Sequence, residues 1–234
     1  FFDLLENMDS SDAISLGVGE PDFVTPWHIR DAGVYALEKG FTKYTSNAGL
    51  MELRREISKY MLRRFGLSYD PAGQMVVTVG GSEGIDIAVR AIVNQGDEVI
   101  IPVPSFVCYG PIVELVGGVP VFVETRAENE FRLTADELRA AITPRTKLLV
   151  LPFPNNPTGA IMERKDLEAI AEVLRGTNII VLSDEIYAEL TYGGRHMSIA
   201  NIPDMYIRTL VVNGFSKAYA MTGWRLGFVC GPRE

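Results

Sequence analysis

Lys217 and Arg225 lie in the stretch Gly214-Phe215-Ser216-Lys217-Ala218-Tyr219-Ala220-Met221-Thr222-Gly223-Trp224-Arg225-Leu226-Gly227. A lysine amine can form a Schiff base with a carbonyl compound. An arginine presents a fork of donors that fits a phosphate. Ser183-Asp184-Glu185-Ile186-Tyr187 closes an apolar run. A carboxylate there is costly unless a cation or hydrogen-bond donors meet it. Asn155-Asn156-Pro157-Thr158-Gly159 is a turn signal longer than a turn needs, so it hints at an amide held in place. Gly80-Gly81-Ser82-Glu83-Gly84 precedes a helical pattern, where free N–H groups and the helix dipole suit a phosphate. Each feature also has an ordinary reading: surface cations, an N-cap at Asp184, plain connections.

The elements that must position these groups follow from periodicity. Thr25-Pro26 reads as an N-cap and first helical residue for a helix over 27–39 that ends at Gly40. Leu50, Leu53, Ile57, Tyr60, Met61 and Phe65 form a helical stripe that stops at Gly66, and the cations on that helix read as a solvated face. Met75–Val79, a glycine turn over 80–84, a helix over 85–93 and a strand over 98–101 make a parallel, right-handed βαβ unit. A helix over 109–117 and a strand over 120–123 follow. Thr134 and Glu137 form a capping box for a helix over 135–142. Strands over 147–152 and 178–182 flank a helix over 164–175. The strand over 209–213 precedes Lys217. The next strand, near Leu226–Cys230, follows without a crossover helix and is expected to be antiparallel, giving a mixed sheet. His28 and His196 read as surface residues rather than bases. Phe106 is either core or a platform for a flat ring.

Composition narrows the function. Charged residues are 22% and hydrophobic residues 47%, enough for a substantial core. The net charge of -8 disfavours a nucleic-acid surface. Cys108 and Cys230 form no metal-binding or disulfide pattern, which fits a reducing, cytoplasmic setting. No apolar run is long enough to span a bilayer. The chain begins Phe1-Phe2 without a Met and closes directly after a strand, so it is expected to be a segment of a longer one.

Leu16-Gly17-Val18-Gly19-Glu20-Pro21-Asp22-Phe23, Tyr44 before Asn47-Ala48-Gly49, Gly81-Ser82-Glu83-Gly84, Asn155–Gly159, Ser183–Tyr187 and Ser216-Lys217…Gly223-Trp224-Arg225-Leu226-Gly227 occur in one order. From about residue 14 onward this series resembles the class I/II aminotransferases, fold-type I pyridoxal-phosphate enzymes. The likeness is nearest to the prokaryotic aspartate, aromatic and N-acetyl-diaminopimelate branch. It implies an α/β fold: a three-layer α/β/α large domain with a mostly parallel mixed sheet. Residues 1–24 would be an N-terminal segment at the small domain or active-site edge, and 25–234 the cofactor domain. The C-terminal small domain, with the main arginine for the substrate carboxylate, would lie outside this chain.

The resemblance also implies roles. Lys217 would form the internal aldimine with pyridoxal 5'-phosphate, with Asp184 on the pyridinium nitrogen. Asn156 and Tyr187 would bond the phenolate oxygen. Phe106 would stack on the ring. The Ser82 and Glu83 backbone amides, Ser216 and Arg225 would hold the phosphate, and Tyr44 would reach the phosphate of a neighbouring subunit, implying a homodimer. Gly19, with Asn156, would meet the substrate carboxylate. The freed Lys217 amine would move the proton from Cα, its pKa lowered by cationic charge such as Arg225. The implied activity is ping-pong transfer of an amino group from an L-amino acid to a 2-oxo acid. Alternatives are β-elimination or racemisation on the same lysine, or the cofactor-sensing domain of a transcription regulator. No metal, nucleic acid or membrane is expected.

Overall fold

A computed structural model describes residues 19–233. In chain order its elements are α1 (Trp27–Glu38), α2 (Met51–Phe65), β1 (Met75–Thr78), α3 (Gly80–Ile92), β2 (Glu98–Val103), α4 (Tyr109–Leu115), β3 (Val119–Glu124), α5 (Ala135–Ala141), β4 (Thr146–Leu151), α6 (Arg164–Leu174), β5 (Ile180–Asp184), β6 (Thr209–Gly214) and β7 (Gly227–Cys230). The strands form one sheet in the order β1-β7-β6-β5-β4-β2-β3. Strands β2 to β6 run parallel, and β7 is antiparallel to both β6 and β1. The antiparallel β7 and the mixed sheet are as the short β6–β7 connection requires.

Strand alternation splits the core into two layers. Val99, Ile101, Leu148, Val150, Leu182 and Val212 pack against α3 and α4. Ile100, Leu149, Leu151 and Val181 face α5 and α6. Val211 and Phe228 meet Ile57 and Met61 of α2 on that second side. The result is helix, sheet, helix, with both faces of the sheet covered, as parallel strands demand. Gly66 ends α2 in the left-handed region at φ 70, and the Thr134–Glu137 capping box forms. Those local signals act where they stand.

Several expectations change. The βαβ unit is parallel in direction, but β1 and β2 are not neighbours; β7, β6, β5 and β4 lie between them. The strand expected over 178–182 instead covers Ile180–Asp184, so Ser183 and Asp184 belong to the sheet. The glycine stretch is not a loop: Gly80 opens α3 at φ 77. Thr25 caps nothing. Pro26 holds the N-cap position without a side-chain bond. Thr25 Oγ1 donates to the Ala220 carbonyl at 2.5 Å and accepts from Trp224 Nε1 at 3.1 Å. A tertiary partner has taken the hydroxyl from its own helix. Arg54 is buried and donates to the Pro71 carbonyl at 2.7 Å, so not every cation of α2 is solvated. Helix α1 has no buried residue.

The sheet meets the start of α3 at Gly227. A Cβ there would lie 2.6 Å from the Gly80 carbonyl carbon and 2.7 Å from the Gly81 nitrogen. Backbone cannot rotate away as a side chain can. Gly227→Ala should therefore destabilise by about 1–3 kcal/mol, the usual cost of overpacking. Gly193→Ala, with nothing within 4 Å of its Cβ, should stay within about 0.5 kcal/mol. Urea denaturation of the two variants makes the comparison; equal midpoints would contradict the close approach.

Candidate active site

Asp184 is the last residue of β5 and is buried. Tyr109, the first residue of α4, donates its hydroxyl to Asp184 Oδ2 at 2.7 Å. The Ile186 amide donates to Oδ1 at 3.2 Å. Burial pushes the Asp184 carboxyl above the ordinary range, and these two donors pull it back. Among the described residues no lysine, arginine or histidine forms an ion pair with it. Removing a carboxylate from water costs several kcal/mol, roughly, even after relaxation. One hydrogen bond to a charged group returns about 1.5–3 kcal/mol. The balance favours a cationic partner from elsewhere.

Lys217 follows β6 on the adjacent strand. Its Nζ donates to the Gly19 carbonyl and stands 5.4 Å from the centre of the Tyr187 ring. Burial lowers its pKa, Arg225 lowers it further, and Glu20 opposes both. The expected direction holds, but desolvation leads and Arg225 is the lesser cause. Asn156 Nδ2 is 3.5 Å from the Tyr187 hydroxyl. Gly19, Asn156, Tyr187 and Tyr192 line a cavity of ≈ 500 Å³. That volume suits a small ligand.

Arg225 is exposed, at φ 54, and its Nη1 donates to the Thr222 carbonyl at 2.9 Å. Its guanidinium lies against the start of α3, since a Cβ on Gly80 would come within 2.3 Å of Nη2. A cation and a helix N-terminus thus share one place. Ser82 and Glu83 are exposed in the first turn of α3. The Glu83 carboxylate folds back to the Val79 amide at 2.5 Å. Ser216 is buried beside Lys217. Phe106 is 37% exposed and meets Tyr109 edge-on, 6.0 Å between ring centres at an interplanar angle of 86°. Tyr44 is fully exposed and contributes nothing to the cavity.

Three participants were not legible beforehand. Tyr109 carries no motif, and its partner lies 75 positions on. Glu20 accepts from Thr222 Oγ1 at 3.1 Å, which with the Thr25 and Trp224 bonds ties the segment from Gly19 to the Lys217 loop. His196 is not a surface residue. Its side chain is 8% exposed and its Nε2 is 2.8 Å from Oε2 of Glu185, which is fully buried and also accepts from Ser183. His28 is exposed, as expected.

A largely parallel α/β sheet thus carries a partly buried lysine after β6, a buried carboxylate at the end of β5 and a guanidinium at the start of α3. The family model for aminotransferase class I and II matches residues 11–234, and the chain belongs to that family. YugH of Bacillus subtilis, named as an aminotransferase with no substrate stated, is 54% identical over 99% of this chain and 60% of its own length. Aspartate aminotransferase of Geobacillus stearothermophilus is 46% identical over 95% of this chain and 57% of its own. The crystal structure of an aromatic aminotransferase from Pyrococcus horikoshii superposes with a TM-score of 0.93 at 47% identity, covering 99% of this chain and 62% of that one. The chain therefore spans about 60% of the length of such relatives.

The amine gives a direct check. Lys217 should react with an amine-selective acylating reagent at a pH below that needed for an ordinary lysine, whose pKa is about 10.4. Arg225→Ala should move that reactivity toward higher pH, because a lowering charge is removed. Peptide mass mapping across a pH series reads both. Reactivity at the ordinary lysine pH would contradict the burial argument.

Proposed function

We propose that this chain is the cofactor-binding part of an aminotransferase that uses pyridoxal 5'-phosphate to move an amino group from an L-amino acid to a 2-oxo acid. The observation that carries the reading is the pairing of a depressed lysine amine with a buried carboxylate that has no cation among the described residues. The residues fit the cofactor. Asp184 needs a cationic partner, such as a protonated ring nitrogen. Arg225 and the α3 N-terminus at Gly80 suit a phosphate. Class I and II aminotransferases generally use this cofactor, and relatives named for aspartate, aromatic amino acids and N-acetyl-LL-diaminopimelate support amino transfer.

When bound, pyridoxal phosphate supplies an aldehyde and an electron-withdrawing ring that stabilises a substrate carbanion. Lys217 supplies the amine that links covalently to that aldehyde. Once freed by an incoming amino acid, the same amine would take the proton from the substrate Cα and deliver it to the former aldehyde carbon. Its lowered pKa keeps more of it neutral for both tasks. Asp184 holds the ring nitrogen protonated. Asn156 and Tyr187 bond the ring oxygen, and Phe106 stacks on the ring. Arg225, Ser216 and the Ser82 and Glu83 amides hold the phosphate. Gly19, whose carbonyl engages Lys217 here, meets the substrate carboxylate together with Asn156. The cycle is ping-pong, with the amino group held between two half-reactions.

The wider setting is part of the same proposal. Residues 25–234 belong to the cofactor domain; of the expected edge segment 1–24, residues 1–18 lie outside the described residues, as does Glu234. The protein is a homodimer in which Tyr44, exposed here, serves the neighbour's phosphate. A reducing, cytoplasmic location is supported by the free Cys108 and Cys230 thiols. No helix among the described residues is long and apolar enough to cross a membrane.

Adding pyridoxal phosphate should give the protein a visible absorption band that Lys217→Ala lacks. Adding an amino acid should then yield a 2-oxo acid without ammonia. Asp184→Asn should slow that half-reaction about a hundredfold, the rate equivalent of roughly 3 kcal/mol. A band of equal strength in Lys217→Ala, or release of ammonia, would overturn the reading.

A further inference from the structure

The contact between α4 and the end of β5 has no assigned role. Tyr109 is 3% exposed, and its ring sits in the core beneath α4 with Val113 and Val150. Its hydroxyl has one strong partner, Asp184 Oδ2 at 2.7 Å. Its ring edge meets Phe106 at 6.0 Å. The side chain is thus locked by packing and cannot follow Asp184 if that residue moves.

We infer that Tyr109 is a positioning residue for the cofactor site: its hydroxyl fixes Asp184 Oδ2 and holds the carboxylate in its charged form for the cation it pairs with. The inference rests on the cofactor reading above. It goes beyond it by assigning the charge state of Asp184 to a residue of a different element. The physics is one of balance. Burial favours the neutral acid, and the Ile186 amide alone is a long donor at 3.2 Å. A short hydroxyl donor to the charged form offsets part of that cost. Losing it would tip the carboxyl toward the protonated state, which cannot pair with a cation.

Asp184 has titratable neighbours at the start of α4 and at the end of β5. Facing it are Cys108 and Tyr109 at the start of α4, Tyr187 after β5, and Glu185 beside it. Burial pushes the Cys108 thiol up to about 12 and raises both tyrosines, so these stay neutral near pH 7. Glu185 turns to Ser183 and His196 on the other side.

The test is cofactor affinity against pH, read by quenching of Trp27 and Trp224 fluorescence with pyridoxal 5'-phosphate. The sign follows from linkage. A carboxyl whose folded pKa rises stays neutral to higher pH, so affinity in Tyr109→Phe should fall toward acid at a higher pH than in the wild type. The midpoint should move up by about one pH unit or more, the equivalent of one charge-assisted hydrogen bond. Below the wild-type midpoint, binding should weaken about tenfold. Placing 3-fluorotyrosine at 109, a stronger donor of the same shape, should move the midpoint down. In an Asp184→Asn background, which has no carboxyl to titrate, Tyr109→Phe should leave the midpoint unmoved. Melting of each apoprotein checks that it is folded, and a merely structural role would change melting but not the midpoint. A wild-type midpoint in Tyr109→Phe, or a shift that survives in Asp184→Asn, overturns the inference. Asp184→Asn binding as tightly as wild type removes the cofactor reading and this inference together, which separates the two failures.

Discussion

The structure turns on one buried carboxylate. Asp184 sits at the end of a central parallel strand, closed off by β4 and β6 on its flanks and by α4 above. A charge there is tolerable only with donors and a counter-charge. Tyr109 and the Ile186 amide supply the donors. The neighbouring cation, Lys217, is itself partly buried and is bonded to Gly19 rather than to Asp184. On adjacent strands, then, a buried carboxylate without a counter-charge among the described residues stands near a lysine held only by a backbone carbonyl, which is the arrangement the proposed cofactor reading rests on.

The second constraint is steric. Glycine at 80, 84 and 227 lets α3 approach β7 and lets Arg225 lie against the helix start. A Cβ at Gly84 would fall 2.8 Å from Val229. The same absence of side chains that packs the helix onto the sheet brings its free N–H groups beside a guanidinium. Core packing and the meeting of guanidinium with helix start are one arrangement here. On the far side of Lys217, the bonds of Glu20, Thr25 and Trp224 hold the segment after Gly19 across the loop. That brings Gly19 and Lys217 together although they lie 198 positions apart.

Much of this was legible in the sequence, and the reasons are local. Gly66 and the Thr134–Glu137 box work within a turn of helix, so residue type alone reveals them. The antiparallel β7 follows from a connection too short for a crossover. Short apolar runs bounded by turn residues marked the buried strands. What escaped was decided at long range. Thr25 carries the same signature as a helix cap, yet Ala220 and Trp224 claim its hydroxyl. His196 lies in a polar stretch, yet a buried Glu185 draws it inward. Strand order placed four strands between β1 and β2, which a single βαβ pattern cannot show. Tyr109 looked like the start of an ordinary helix; only the fold sets its hydroxyl against Asp184.

The most direct measurement is borohydride reduction of the protein loaded with pyridoxal 5'-phosphate, followed by peptide mass mapping. The account predicts the cofactor mass on the peptide that contains Lys217 and on no other. Label spread over exposed lysines, or absent from Lys217, would contradict it.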